Sequence, residues 1–260
     1  MYLVRPSCRL WVDVRGSGFP VLCLHGHPGS SNSLSMFADP LSQRFRTIAP
    51  DLRGYGRSRA AKDFPMHAHL DDLEAILDEL QVEQCLVLGW SLGGILAMEL
   101  VLRQPERVRG LILIATAAKP RSSHPPVTWQ DLLYTGIASL INRVYPAWQW
   151  NINTFGKRSL YRYLLQQHNT SAYTYLAQEG MGAYLNTSGA ARRALATALR
   201  AGYNRLEQVA QIRIPCLMLA GSEDRHITPK SSHETATRLP QCSWQCYPNT
   251  AHLFPGIPSE

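Results

Sequence analysis

The pentapeptide Gly89-Trp90-Ser91-Leu92-Gly93 constrains this chain more than any other stretch of it. It is a G-x-S-x-G pattern, and its neighbourhood gives it weight. An apolar run at 85–88 leads into it, and a stretch of helical character at 93–103 leads out, stopped by Pro105. A strand that turns sharply into a helix lifts a serine hydroxyl clear of the sheet, and glycines on both sides keep the tight turn free of clashes. The helix N-terminus behind the serine offers N–H groups to a developing negative charge. The pattern therefore predicts a nucleophilic serine, Ser91, on a strand–turn–helix unit.

Similar apolar runs recur at 21–24, 47–49, 111–115, 216–220 and 243–247. Runs of this length suit strands buried on both faces, as in a parallel sheet. Residues 10–14 alternate instead and predict an edge strand. Leu70, Leu73, Ile76, Leu77 and Leu80 recur at steps of three and four, with acids at 71, 72, 74, 78 and 79 on the opposite, solvated face. Strand and helix thus alternate, which predicts an α/β fold with a mostly parallel, doubly wound sheet.

The rhythm breaks between about residues 118 and 207. Half of the six tryptophans (Trp129, Trp148 and Trp150) lie there, with many tyrosines, among polar and basic residues. This stretch predicts a helical cap inserted at 119–206 into a core formed by 1–118 and 207–260. A chain of 260 residues is long enough to bury a sizeable core of that kind.

Charge is uneven along the chain. The net charge is +7, yet residues 119–205 hold ten Lys/Arg against two acids, Asp131 and Glu179. Such a segment attracts anionic substrates, carrier proteins or a membrane surface, or is a solvated basic face. Nucleic acid is not expected as a partner, because the basic residues are scattered among aromatics and no nucleic-acid motif is present. Three of the six cysteines (Cys23, Cys85 and Cys216) lie inside apolar runs and no C-x-x-C pair occurs, which points to reduced thiols in a cytoplasmic protein. The first residues lack the apolar core of a signal peptide, and no run approaches a membrane span. His67, His69, Asp71 and Asp72 form an H-x-H-x-D run, but with no further ligand motif the expectation is no metal, and no cofactor is expected either.

A serine needs a base to become a nucleophile. In this architecture the order is serine, then acid, then histidine. Asp224 follows the run at 216–220, and His252 follows the run at 243–247, so both fall at the strand ends that hold Ser91. Asp224 is preferred to its neighbour Glu223 as the acid that orients His252. An oxyanion needs two donors: the backbone N–H of Leu92, directly after the serine, and that of His27, in the loop after the first buried strand. His25 is expected to hold that loop by hydrogen bonds. Trp90 and His27 are candidates to line a substrate pocket.

The motifs HGHPGS, DLRGYGRS, GWSLGG, LAGSEDRHI and NTAHLFP, in this order and spacing, resemble the α/β-hydrolase superfamily. The elbow is similar to that of carboxylesterases such as the pimeloyl carrier-protein methyl ester esterases. Superfamily members with an aspartate at the nucleophile position, the haloalkane dehalogenases and epoxide hydrolases, do not fit Ser91. The resemblance implies a serine esterase acting on a small-molecule ester or thioester, with anionic and carrier-linked ones among the candidates. Two other functions stay open. One is a lyase or synthase using the same triad, with substrate carboxylates held by an arginine among Arg121, Arg143, Arg158, Arg162, Arg192 and Arg193. The other is a ligand-binding protein on a hydrolase scaffold. The superfamily usually packs a helix on the sheet after the histidine. Only eight residues follow His252 here, too few for a typical helix: either the chain is truncated or something else covers that face, and an uncovered sheet would expose apolar surface and favour association or instability.

Overall fold

The computed structural model describes residues 1–253, so the expectations about the segment from Phe254 onward lie outside the described residues. The chain opens with β1 (Tyr2–Arg5), β2 (Cys8–Arg15) and β3 (Pro20–Leu24). It continues through α1 (Ser35–Ser42), β4 (Arg46–Pro50), the short β5 (Arg59–Ala60) and α2 (Ala68–Glu79). β6 (Cys85–Trp90), α3 (Leu92–Arg103) and β7 (Val108–Ile114) follow. Between β7 and the next strand lie only helices: α4 (Trp129–Val144), α5 (Gln149–Thr154), α6 (Tyr161–Leu164), α7 (Thr170–Tyr175), α8 (Met181–Leu185) and α9 (Gly189–Arg200). The sheet resumes with β8 (Cys216–Gly221), then α10 (Pro229–Arg238) and β9 (Cys242–Tyr247).

The strands form one sheet in the order β1-β2-β4-β3-β6-β7-β8-β9, with β5 paired to β2. From β4 to β9 every pairing is parallel, and β2 runs antiparallel to β1, β4 and β5. The continuous apolar runs follow from burial on both faces. One face of β3, β6 and β7 places Leu22, Val87 and Leu111 against α2 and α3, whose Leu73, Leu77 and Leu96 are buried. The other face places Val21, Leu88 and Ile114 against Leu34 and Ala38.

Two sequence expectations are corrected here. Residues 10–14 belong to β2, and only part of that stretch lies at the edge: Tyr2–Arg5 pairs along the outer side of residues 8–11, while residues 12–15 pair with β4 alone. The alternation instead reflects a strand near the sheet margin with one solvated face. Asp72, placed by periodicity on the solvated face of α2, is buried. It accepts hydrogen bonds from Arg53 Nε at 2.7 Å and Nη2 at 2.6 Å, while Arg5 lies 3.2 Å away. A bidentate guanidinium offsets the desolvation of that carboxylate and clamps α2 to the loop after β4. Beside it, His69 is also buried against Tyr55 and Phe64, and neither ring nitrogen has a hydrogen-bond partner among the described residues. Burial, helped by His25 and Arg53, pushes its imidazole down to about 3.

Two consequences are measurable by urea unfolding. Asp72→Ala strands the Arg53 charge in the core and should cost about 3–5 kcal/mol. Asp71→Ala, which removes only the exposed pair with Arg103, should cost under about 0.5 kcal/mol. Equal effects would refute the buried clamp. His69 gives a pH dependence whose sign is fixed. The unfolded imidazole takes a proton as pH falls through its ordinary 6.5, whereas the folded one stays neutral down to about 3. Its contribution is therefore complete above pH 6.5 and is lost progressively below it. On going from pH 7 to pH 5, His69→Phe should lose about 2 kcal/mol less stability than the wild type. Parallel losses in the two proteins would contradict the assignment.

Candidate active site

The turn from β6 to α3 holds Ser91 at φ +54° and ψ −113°. A non-glycine residue in this region costs about 1–3 kcal/mol unless its surroundings enforce it. They do so here by hydrogen bonds and close packing. Ser91 N–H donates to the Ile114 carbonyl at 2.8 Å, and the Thr116 hydroxyl donates to the Ser91 carbonyl at 2.8 Å. A Cβ on Gly93 would overlap the Leu24 carbonyl, and one on Gly89 would stand 2.6 Å from the Gly93 carbonyl carbon. Only glycine lets helix and strand approach this closely.

Three loops converge on the serine. Asp224 lies just beyond β8, where its Oδ1 accepts from the N–H groups of His226 at 2.8 Å and Ile227 at 2.9 Å. Its Oδ2 lies 2.8 Å from His252 Nδ1. His252 Nε2 lies 3.1 Å from Ser91 Oγ. Ser91, Asp224 and His252 are 6%, 2% and 4% exposed, so the chain of contacts is shielded from bulk water. The neighbouring Glu223 is exposed and turned to Ser222. The two main-chain bonds to Asp224 fix its carboxylate in the orientation that meets the imidazole.

The loop after β3 passes directly over Ser91: a Cβ on Gly26 would stand 3.2 Å from Ser91 Cβ. His25 braces it with both ring nitrogens. Its Nε2 accepts from Leu52 N–H at 3.0 Å, and its Nδ1 lies 2.7 Å from the Gly26 carbonyl, which only a protonated nitrogen satisfies. This fixes a neutral imidazole in one tautomer, and burial lowers its affinity for a second proton. His27 follows, with Nδ1 2.9 Å from the Tyr55 hydroxyl. Burial, with the Arg192 charge nearby, pushes the His27 imidazole down to about 4. Leu92 is the first residue of α3, where a backbone N–H has no intrahelical acceptor.

Trp90 is buried in the sheet-face cluster with Leu34 and Ile114, its ring 6.3 Å from that of His252 and 6.5 Å from Phe37. Sequence reasoning missed a row of rings on the other side of the histidine. His226 lies 4.7 Å from His252, His124 stacks on His226 at 5.8 Å, and Tyr163 of α6 stacks on His124 at 5.2 Å. The only signal was the position of His226 two residues after Asp224. The inserted helices also bind the rim directly. The Leu164 carbonyl accepts from Leu253 N–H, and Tyr175 donates to the Ser33 carbonyl.

Of the arginines considered for an anionic substrate, Arg121, Arg162 and Arg193 are ion-paired with Glu234, Asp131 and Asp63. Arg192 lies over the Tyr184 ring, donates to the Tyr184 carbonyl, and is the one whose charge reaches His27 and Tyr55. The H-x-H-x-D run is dispersed: His69 packs on rings, Asp71 pairs with Arg103 and Asp72 with Arg53. No helix among the described residues is long and apolar enough to cross a membrane.

Comparison with known proteins gives a consistent result. A family model described as alpha/beta hydrolase fold matches residues 20–255. A pimeloyl-[acyl-carrier protein] methyl ester esterase of Vibrio atlanticus (strain LGP32) is 24% identical over 251 residues, covering 95% of this chain and 92% of that protein. A 2-hydroxymuconate semialdehyde hydrolase of Pseudomonas sp. (strain CF600) is 36% identical over 107 residues, covering 39% of this chain and 38% of that one. Among solved structures, Est816, titled an N-acyl homoserine lactone degrading enzyme, superposes with a TM-score of 0.72 at 22% identity. It covers 97% of this chain and 93% of its own.

Proposed function

The chain belongs to the α/β-hydrolase fold family, and from that premise we propose that it is a serine hydrolase cleaving a carboxylic ester or thioester through an acyl-enzyme on Ser91. The observation that carries this reading is the unbroken contact chain from Ser91 Oγ through the His252 ring to Asp224. Ser91 Oγ attacks the carbonyl carbon as its proton passes to His252 Nε2. Asp224 keeps Nδ1 protonated and stabilises the imidazolium. The oxyanion accepts from the N–H groups of Leu92 and His27, each such donor contributing about 3 kcal/mol. Collapse expels the alcohol or thiol, which takes the proton from Nε2. Water then attacks the acyl-enzyme, giving its proton to His252, and the second collapse releases the acid and returns a proton to Ser91.

The inserted segment 119–206 acts in this reading as a lid that excludes water and shapes the substrate site. The burial of all three side chains supports that role. Arg192 supports an anionic group on the substrate: it follows Ala191, which packs on Gly54 beside Tyr55, and its charge lowers the proton affinity of His27. The relative from Vibrio atlanticus is named for a methyl ester on an acyl-carrier protein, which is the same class of bond. The lyase alternative draws its support from the same arginine.

The test is turnover of a p-nitrophenyl ester series from acetate to laurate. The wild type should hydrolyse part of the series, and Ser91→Ala should lose at least about 1,000-fold in kcat. Arg192→Ala should raise KM for esters that carry a carboxylate and leave KM for neutral esters unchanged. Ser91→Ala turning over at the wild-type rate would refute the proposal.

A further inference from the structure

Helix α4 wears its polarity inside out. Its core-facing residues are Asp131, Ala138 and Asn142, all buried, while Trp129, Leu133, Leu140 and Val144 face solvent, Trp129 at 70% and Val144 at 68%. Steps of four, seven and four residues put those apolar side chains on one stripe. The helix cannot turn over to hide them, because its buried polar groups are committed. Asp131 accepts from Arg162 and caps the helix through Thr128. Asn142 donates to the Tyr173 carbonyl and accepts from Ala147 N–H. The apolar surface continues past the helix: Tyr145, Trp148 and Trp150 are exposed, with ring centroids 5.7 and 4.9 Å apart. Exposed apolar surface of this extent marks an interaction site.

The chemistry of the patch selects the partner. Residues 132–178 include no acid, and with Arg162 paired to Asp131 the exposed Arg143, Lys157 and Arg158 leave this part of the insertion cationic. The exposed side of α4 offers few groups for directional recognition: only Gln130 and Arg143 interrupt it with polar side chains. A protein–protein interface spaces its hydrogen bonds at about one per 100–200 Å². An anionic bilayer needs no such registration. It takes an apolar face into the acyl boundary, tryptophan and tyrosine rings at headgroup level, and lysine and arginine on the phosphates. We propose that α4 and the aromatic segment 145–150 dock this protein on the surface of an anionic lipid bilayer. Docking there brings the lipid against the inserted helices, and it does not depend on the chemistry at Ser91.

The experiment is co-sedimentation of the whole protein with phosphatidylcholine vesicles, with and without phosphatidylglycerol. The variant is the double substitution Leu133→Glu with Leu140→Glu, both exposed positions, checked for an unchanged melting temperature and an unchanged circular-dichroism spectrum. The wild type should pellet with the anionic vesicles, less so with phosphatidylcholine alone and less at high salt. The double variant should lose about 100-fold in partitioning, roughly tenfold for each leucine kept out of the acyl boundary. A wild type that stays in solution with anionic vesicles overturns the proposal. So does a double variant that pellets equally well. A wild-type dimer that the double variant turns into monomer in sedimentation velocity also overturns it, and gives the stripe to a second copy.

Discussion

Everything around the serine hangs on how closely α3 is packed under β3 and β6. The Gly93 position lies against the Leu24 carbonyl, and that contact sets both the height of the helix and the left-handed backbone of Ser91. The same strand end carries His25 and Gly26, so the loop over the serine and the helix below it are positioned by one packing event. A larger residue at 93 would move the N–H of Leu92 and the hydroxyl of Ser91 together. The strained turn is tolerated because Ile114 and Thr116, at the end of the neighbouring β7, hold its N–H and carbonyl.

Histidines around this turn are kept neutral by different means. His25 is locked by two hydrogen bonds and burial, His27 by burial and neighbouring positive charge, and His69 by burial among rings. His252 differs in kind, since one of its nitrogens faces a carboxylate that two backbone N–H groups hold in place. In the proposed mechanism that carboxylate orients the ring that takes the serine proton and stabilises the imidazolium that forms.

The sheet was legible because strands buried on both faces write themselves as unbroken apolar runs. Ser91, Asp224 and His252 were named from their order and their places at strand ends, and the structure brings the three side chains together. What stayed hidden depended on contacts distant in sequence. Nothing local to Asp72 shows that Arg53 and Arg5 meet it, so periodicity put it in solvent. Tyr2–Arg5 is too short to display a pattern, so its pairing with residues 8–11 did not show in the sequence. The stack from Tyr163 to His252 joins four separated segments. The reversed polarity of α4 was invisible because a helical pattern reveals which residues share a face, not which face meets the core.

The central claim is that Ser91 is a nucleophile activated by His252. It is tested most directly by incubating the protein with a fluorophosphonate and measuring intact mass, then mapping the modified peptide. The account predicts one adduct per chain, located on Ser91 and absent from both Ser91→Ala and His252→Ala. An unmodified wild-type chain, or an adduct on another residue that persists in Ser91→Ala, would contradict it.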